Sequence, residues 1–66
     1  MIIYLEDLLQ SYDNSVLFRI EGYGEEDDYE ILFTGTRDDI MKKDLRGLVV
    51  DFIEEENNIA RIVAYY

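Results

Sequence analysis

Apolar and polar positions recur along this chain with two different periods, and the changes of period divide it into six elements. Leu5, Leu8, Leu9 and Tyr12 fall at i, i+3, i+4 and i+7, which places one apolar stripe on a short helix over residues 4–12. Glu6 and Asp7 in its first turn complement the positive end of the helix dipole. After the turn cluster Asp13-Asn14-Ser15 the period drops to two: Val16, Phe18 and Ile20 alternate with Leu17, Arg19 and Glu21, which predicts a strand. Tyr29, Ile31 and Phe33 alternate in the same way with Glu30, Leu32 and Thr34. The polar stretch between them, Gly22-Tyr23-Gly24 followed by Glu25-Glu26-Asp27-Asp28, makes the pair an antiparallel hairpin with a long acidic tip.

Gly35 closes the second strand, and Thr36 stands three residues before Asp39, an approximate capping box that starts a second helix. Two continuations compete beyond it. Met41, Leu45, Leu48, Val49, Phe52 and Ile53 form a helical stripe reaching Glu54. Against a helix, an interior Gly47 costs roughly 1 kcal/mol relative to Ala, and Leu48-Val49-Val50-Asp51-Phe52-Ile53 is rich in β-branched and aromatic residues. A strand is therefore expected, then a turn at Glu55-Glu56-Asn57-Asn58, where Asn tolerates left-handed backbone, and a last strand over Ile59–Tyr65.

The expected fold is a small α+β single domain spanning residues 1–66, ordered α-β-β-α-β-β around a mainly antiparallel four-stranded sheet. Its inward set comprises Leu5, Leu8 and Leu9 of the first helix; Val16, Phe18, Ile20, Tyr29, Ile31 and Phe33 of the first hairpin; Ile40; and Val50, Phe52, Ala60, Ile62 and Ala64 of the second hairpin. The opposite strand faces carry Leu17, Leu32, Val49, Ile53, Ile59, Val63 and Tyr65, more apolar residues than a solvated face requires. Either the helices divide between the two faces, or these residues sit at strand ends, or a second copy or a partner covers them.

Sixty-six residues suffice for one domain with one modest core, and a hydrophobic content of 48% is too high for a disordered acidic tail. The absence of cysteine excludes a disulfide scaffold and a thiolate zinc site, which makes the cytoplasm the expected compartment. No apolar run is long enough to span a bilayer, and Met1-Ile2-Ile3-Tyr4-Leu5 lacks the basic start of a signal peptide, so no membrane association is expected.

Charge narrows the class of function. Sixteen acidic residues against six basic ones give a net charge of −10. That balance disfavours direct contact with DNA, RNA or anionic lipid, which need Lys and Arg against phosphate, and favours encounter with a basic protein. Residues 1–30 hold nine acidic and one basic residue, whereas residues 31–66 hold seven and five. Two clusters stand out: Glu25, Glu26, Asp27 and Asp28 at the first hairpin tip, and Glu54, Glu55 and Glu56 at the second turn. At one end of the sheet they would form a carboxylate surface that imitates a phosphate backbone; at opposite ends that mimicry weakens considerably. Tyr23 and Tyr29 flank the first tip as aromatic anchors of the kind enriched at interface hot spots.

The stretches Tyr4-Leu5-Glu6-Asp7-Leu8-Leu9 and Phe33-Thr34-Gly35-Thr36-Arg37-Asp38-Asp39-Ile40 resemble a loose pattern in short acidic proteins of phages and other mobile elements of Gram-positive bacteria. The shared residues are structural: a helix stripe, a strand end and a helix cap. The resemblance implies a context in which small acidic proteins inhibit host nucleases, anti-CRISPR proteins that act as DNA mimics among them. It implies no catalytic residue.

Chemistry finds little foothold. With no His, Cys or Trp, the commonest general base and the strongest nucleophile are missing, and Ser11 and Ser15 flank a turn without a neighbouring base. Glu25-Glu26-Asp27-Asp28 concentrates oxygen ligands but lacks the alternation and central glycine of an EF-hand loop. No enzymatic activity, cofactor or metal is expected. The leading expectation is an inhibitor or modulator that binds a basic, nucleic-acid-handling host protein through Glu25–Asp28 and Glu54–Glu56, anchored by Tyr23 and Tyr29. The alternative is a self-associating accessory module that uses its second apolar sheet face.

Overall fold

A computed structural model describes residues 1–25 and 28–66 of the chain. The elements follow the expected order: α1 (Leu5–Leu9), β1 (Leu17–Tyr23), β2 (Tyr29–Thr36), α2 (Arg37–Met41), β3 (Val49–Glu56) and β4 (Ile59–Tyr65). Both helices are shorter than their apolar stripes, a single turn and a little more. α1 ends where Ser11 Oγ donates to the Leu8 carbonyl at 2.7 Å, a local bond that competes with helix continuation. α2 begins at the expected cap: Thr36 Oγ1 accepts from Asp39 N–H, and the Asp39 carboxylate accepts from Thr36 N–H.

Sheet topology differs from the expectation. The strand order is β2-β1-β4-β3, with the two hairpins antiparallel internally but joined by a parallel pairing of β1 with β4, from Leu17 beside Ile59 to Glu21 beside Val63. The sheet is therefore mixed, not mainly antiparallel. Each hairpin can satisfy its own ladder locally, but how two hairpins join depends on which strands bury most apolar surface. β1 and β4 hold the most buried positions, so they take the centre.

Residues 49–56 form a strand, as expected from Gly47 and the β-branched run. Gly47 adopts φ +85°, a left-handed conformation that interrupts any helix through this region and suits glycine. The second hairpin turns on Asn57 and Asn58, both at positive φ (52° and 63°), the two-residue geometry that Asn favours. Glu55 and Glu56, expected in the turn, belong to β3.

The core lies on one sheet face. Leu5 and Leu9 of α1, Ile40 of α2, and Leu45 and Leu48 of the following segment close over Phe18, Ile20, Ala60, Ile62 and Ala64. Tyr12 meets Phe18 edge-to-face at 5.1 Å. Both helices thus cover the same face, and the other is open. The N-terminal residues Ile3 and Tyr4 lie along the outer edge of β3: Val50 N–H donates to Ile3 O at 2.8 Å and Leu5 N–H to Leu48 O at 2.9 Å.

Two irregularities redistribute the expected inward set. Ile20 pairs with Phe33 but Glu21 with Ile31, so Leu32 is an extra residue in β2. One inserted residue inverts the alternation beyond it. Phe33 therefore packs against the core while Tyr29 and Ile31, expected beside it, are exposed on the open face. In β3, Val50 pairs with Ala64 and Phe52 with Val63, so Asp51 is the extra residue. Val50 packs against the core, and Phe52, expected inward, joins the open face.

Gly35 has φ +136°, and a Cβ there would lie 2.9 Å from the Cβ of the capping residue Asp39. Gly35→Ala should therefore destabilise the domain by about 1–2 kcal/mol, through backbone strain and displacement of the cap. Urea denaturation of the two proteins measures the difference, and equal midpoints would contradict this account.

Candidate protein-interaction surface

The parallel pairing decides where the acidic clusters lie. β1 runs from the second hairpin turn toward the first tip, and β4 runs beside it in the same direction away from that turn. The two tips therefore stand at opposite ends of the sheet, separated by the length of β1, on the order of 20 Å for its seven residues. They do not form the single carboxylate surface that joint mimicry of a nucleic acid requires.

At the second end the glutamates also part company, because side chains alternate across a strand. Glu54 points to the open face and accepts from Arg61 Nη1 at 3.2 Å. Glu55 points to the helix side, where Tyr12 Oη donates to it at 2.7 Å, and this bond pushes the Tyr12 hydroxyl pKa up to about 12. Glu56 is exposed beside the turn.

The first end is more coherent. Glu25 and Asp28 are exposed at the tip, which is closed by Gly24 N–H donating to Asp28 O at 2.7 Å; Glu26 and Asp27 lie outside the described residues. Tyr23 and Tyr29 face each other across the β1–β2 pair with ring centroids 5.4 Å apart, both on the open face and both about half exposed. Tyr23 Oη also donates to Asp51, the inserted residue of β3, and this bond pushes the Tyr23 pKa up to about 12. Beside them opens a cleft of about 270 Å³ walled by Leu32, Leu48, Ala64, Tyr65 and Tyr66, with Glu30 on its rim. Leu32 and Tyr65 were expected on the second apolar face and not at the first tip; Glu30 and Tyr66 carried no signal as site residues, and strand pairing brings the C-terminal tyrosines to this end.

The centre of the open face carries a charge cluster that sequence reasoning also missed. Glu21 is only 5% exposed, although it lies on the face that the helices leave uncovered. Arg61 grips it through two bonds, Nε to Oε2 at 2.8 Å and Nη2 to Oε1 at 3.1 Å, and Arg19 Nε adds a third at 2.7 Å. Arg61 lies 4.9 Å from the Tyr29 ring centroid and 5.4 Å from that of Phe52, within cation–π range. This layer of arginine and aromatic rings roofs the sheet, and Val63 is fully buried beneath it. Part of the apolar excess on the second face is thus covered by the chain itself. Leu17, Ile31 and Ile59 remain about half exposed around its margin.

Among the described residues, no three Asp or Glu side chains are grouped as metal ligands would be, and no helix is long and apolar enough to cross a membrane. Comparison of the chain with protein-family models, with curated proteins and with solved structures found no match.

The Arg61 bonds lower the Glu21 pKa below its ordinary value, outweighing the opposing effect of burial. A carboxylate with a depressed folded-state pKa contributes stability above its unfolded value near 4.3, and loses it as pH falls through the folded value. Stability should therefore drop on acidification below about pH 4.3, and Glu21→Gln should flatten that limb in denaturation measured from pH 7 to pH 2. Glu21→Ala, which leaves a largely buried Arg61 without its main partner, should cost about 3 kcal/mol at pH 7. In a spectrophotometric titration Tyr12 and Tyr23 should ionise near 12, and Asp51→Asn should return Tyr23 alone to the ordinary range near 10.

Proposed function

We propose that this chain is a protein-binding inhibitor or modulator that engages a basic, nucleic-acid-handling host protein through the first-hairpin end of its sheet. The observation that carries this reading is the contiguity there of exposed carboxylates, exposed tyrosines and an apolar cleft. Tyr23 and Glu30 line the cleft with Tyr65 and Tyr66 at this end of the sheet, and Glu25, Asp28 and Tyr29 are exposed at the adjoining tip. Between Ile20 and Thr36 the sequence holds six acidic residues and no Lys or Arg. Such a surface pairs the anchors of an interface with a field that selects basic partners and repels nucleic acid. Glu54, Glu55 and Glu56, at the far end, contribute to the long-range field and not to this contact. The resemblance of two segments to short acidic phage and mobile-element proteins supplies the context of a host cytoplasm and of competition with nucleic acid.

The combined reversal Glu25→Lys, Asp28→Lys and Glu30→Lys tests the proposal, since all three side chains are exposed and the fold should survive. In affinity capture from bacterial lysate the native chain should retain a basic protein and release it from DNA. The variant should bind that protein at least tenfold more weakly, with an unchanged circular dichroism spectrum. Equal affinity of the two chains would sink the proposal.

A second reading, self-association through the open face, draws on the exposure of Leu17 (50%), Ile59 (45%) and Ile31 (57%) there. It predicts concentration-dependent sedimentation of the chain alone, and a monomer at all concentrations removes it.

A further inference from the structure

The two outer edges of the sheet are managed differently. The edge of β3 is occupied at its start by Ile3 and Tyr4 through two main-chain hydrogen bonds, and Glu54, Glu55 and Glu56 charge its remainder. Occupied and charged edges resist pairing with another chain. The edge of β2 is charged at Glu30 but, among the described residues, is not occupied. It contains no Pro and no Lys, and among the described residues no main-chain hydrogen bond from another element reaches Tyr29 or Ile31 from outside.

The ladder shows which groups face outward. Gly24 N–H donates to Asp28 O, and the pairs continue as Tyr23 with Tyr29, Gly22 with Glu30 and Glu21 with Ile31. Hydrogen-bonded and non-hydrogen-bonded pairs alternate in an antiparallel ladder. Glu30 therefore spends its main-chain groups on β1, whereas Tyr29 and Ile31 direct their N–H and C=O groups away from the sheet. The inserted Leu32 ends this regular edge, which confines it to the first-hairpin end.

We propose that an extended segment of the basic partner adds to the sheet beside Tyr29–Ile31 as a fifth strand. The proposal rests on the acidic-surface reading above and gives it a mode of attachment. Main-chain hydrogen bonds to Tyr29 and Ile31 supply the pairing, and alternate side chains supply specificity. Apolar side chains of the segment lie over the exposed Tyr29 and Ile31, and its Lys or Arg side chains meet Glu25, Asp28 and Glu30. Charge complementarity selects this occupant over a second copy, which would bring another chain of net charge −10 against an edge that carries no basic residue.

The probe is a ten-residue peptide of alternating Lys and Val, added to the complete chain at moderate ionic strength. Hydrogen exchange of the Tyr29 and Ile31 amides should slow on binding, while the Glu30 amide, already bonded to β1, changes little. Chemical synthesis of the chain with N-methyl isoleucine at position 31 removes one outward donor and no internal bond, and should weaken the peptide about tenfold. Peptide binding that leaves the Tyr29 and Ile31 amides unprotected overturns strand addition, whether or not the N-methylated chain folds. If such binding is still lost on reversing Glu25, Asp28 and Glu30, the acidic-surface reading stands without strand addition. Absence of binding removes both. Protection of the same two amides by self-association without peptide makes a second copy the occupant and overturns the proposal.

Discussion

The parallel pairing of β1 with β4 is the contact on which the rest of this structure depends. Either hairpin alone is a two-stranded ribbon with one apolar face, marginal in water. Laying their inner strands side by side creates a four-stranded sheet wide enough for two short helices to cover. It also makes Phe18, Ile20, Ala60, Ile62 and Ala64 one contiguous floor. α1 and α2 are too short to persist alone, so their stability comes from packing on that floor. The same pairing has an electrostatic consequence: hairpins joined through parallel strands point their turns in opposite directions. The negative charge of the chain is thereby shared between two ends, which limits self-repulsion.

A second constraint acts on the open face. A carboxylate as buried as Glu21 is tolerated only when its lost hydration is replaced, and here three charge-assisted hydrogen bonds from Arg61 and Arg19 replace it. Arg61 holds the cluster in place because its guanidinium also lies over the Tyr29 and Phe52 rings. The cluster joins three strands, through Glu21 on β1, Arg61 on β4 and Glu54 on β3. Tyr29 connects the fourth by reaching over Arg61 from β2. A face that lacks helices is thus partly closed by its own side chains. The apolar groups left over lie at the margin and at the first-hairpin end.

Much of the local structure was legible along the chain because its causes are local. The Thr36–Asp39 cap, the left-handed Asn57–Asn58 turn and the break at Gly47 each follow from the chemistry of one to four neighbouring residues. Faces were less legible. Tyr29, Ile31 and Phe33 read as one inward row, as did Val50 and Phe52, until the inserted Leu32 and Asp51 turned part of each row over. A bulge answers the pairing and curvature of a whole sheet, so nothing in the period of its own strand announces it. The site was legible by halves for the same reason. Glu25, Asp28, Tyr23 and Tyr29 are close in sequence and come together, whereas Glu54, Glu55 and Glu56 join no site with them.

The sequence by itself determined the element order, the acidity and the capped second helix. Each of these depends on composition or on residues a few positions apart. Tertiary structure alone decided which strands meet at the centre, and hence which ends the acidic tips occupy. It also decided that Glu21 and Arg61, forty positions apart, become one buried ion pair, and that the edge of β3 is occupied at its start while, among the described residues, that of β2 is not. Those outcomes rest on long-range pairing, where the burial of whole strand faces outweighs any local preference.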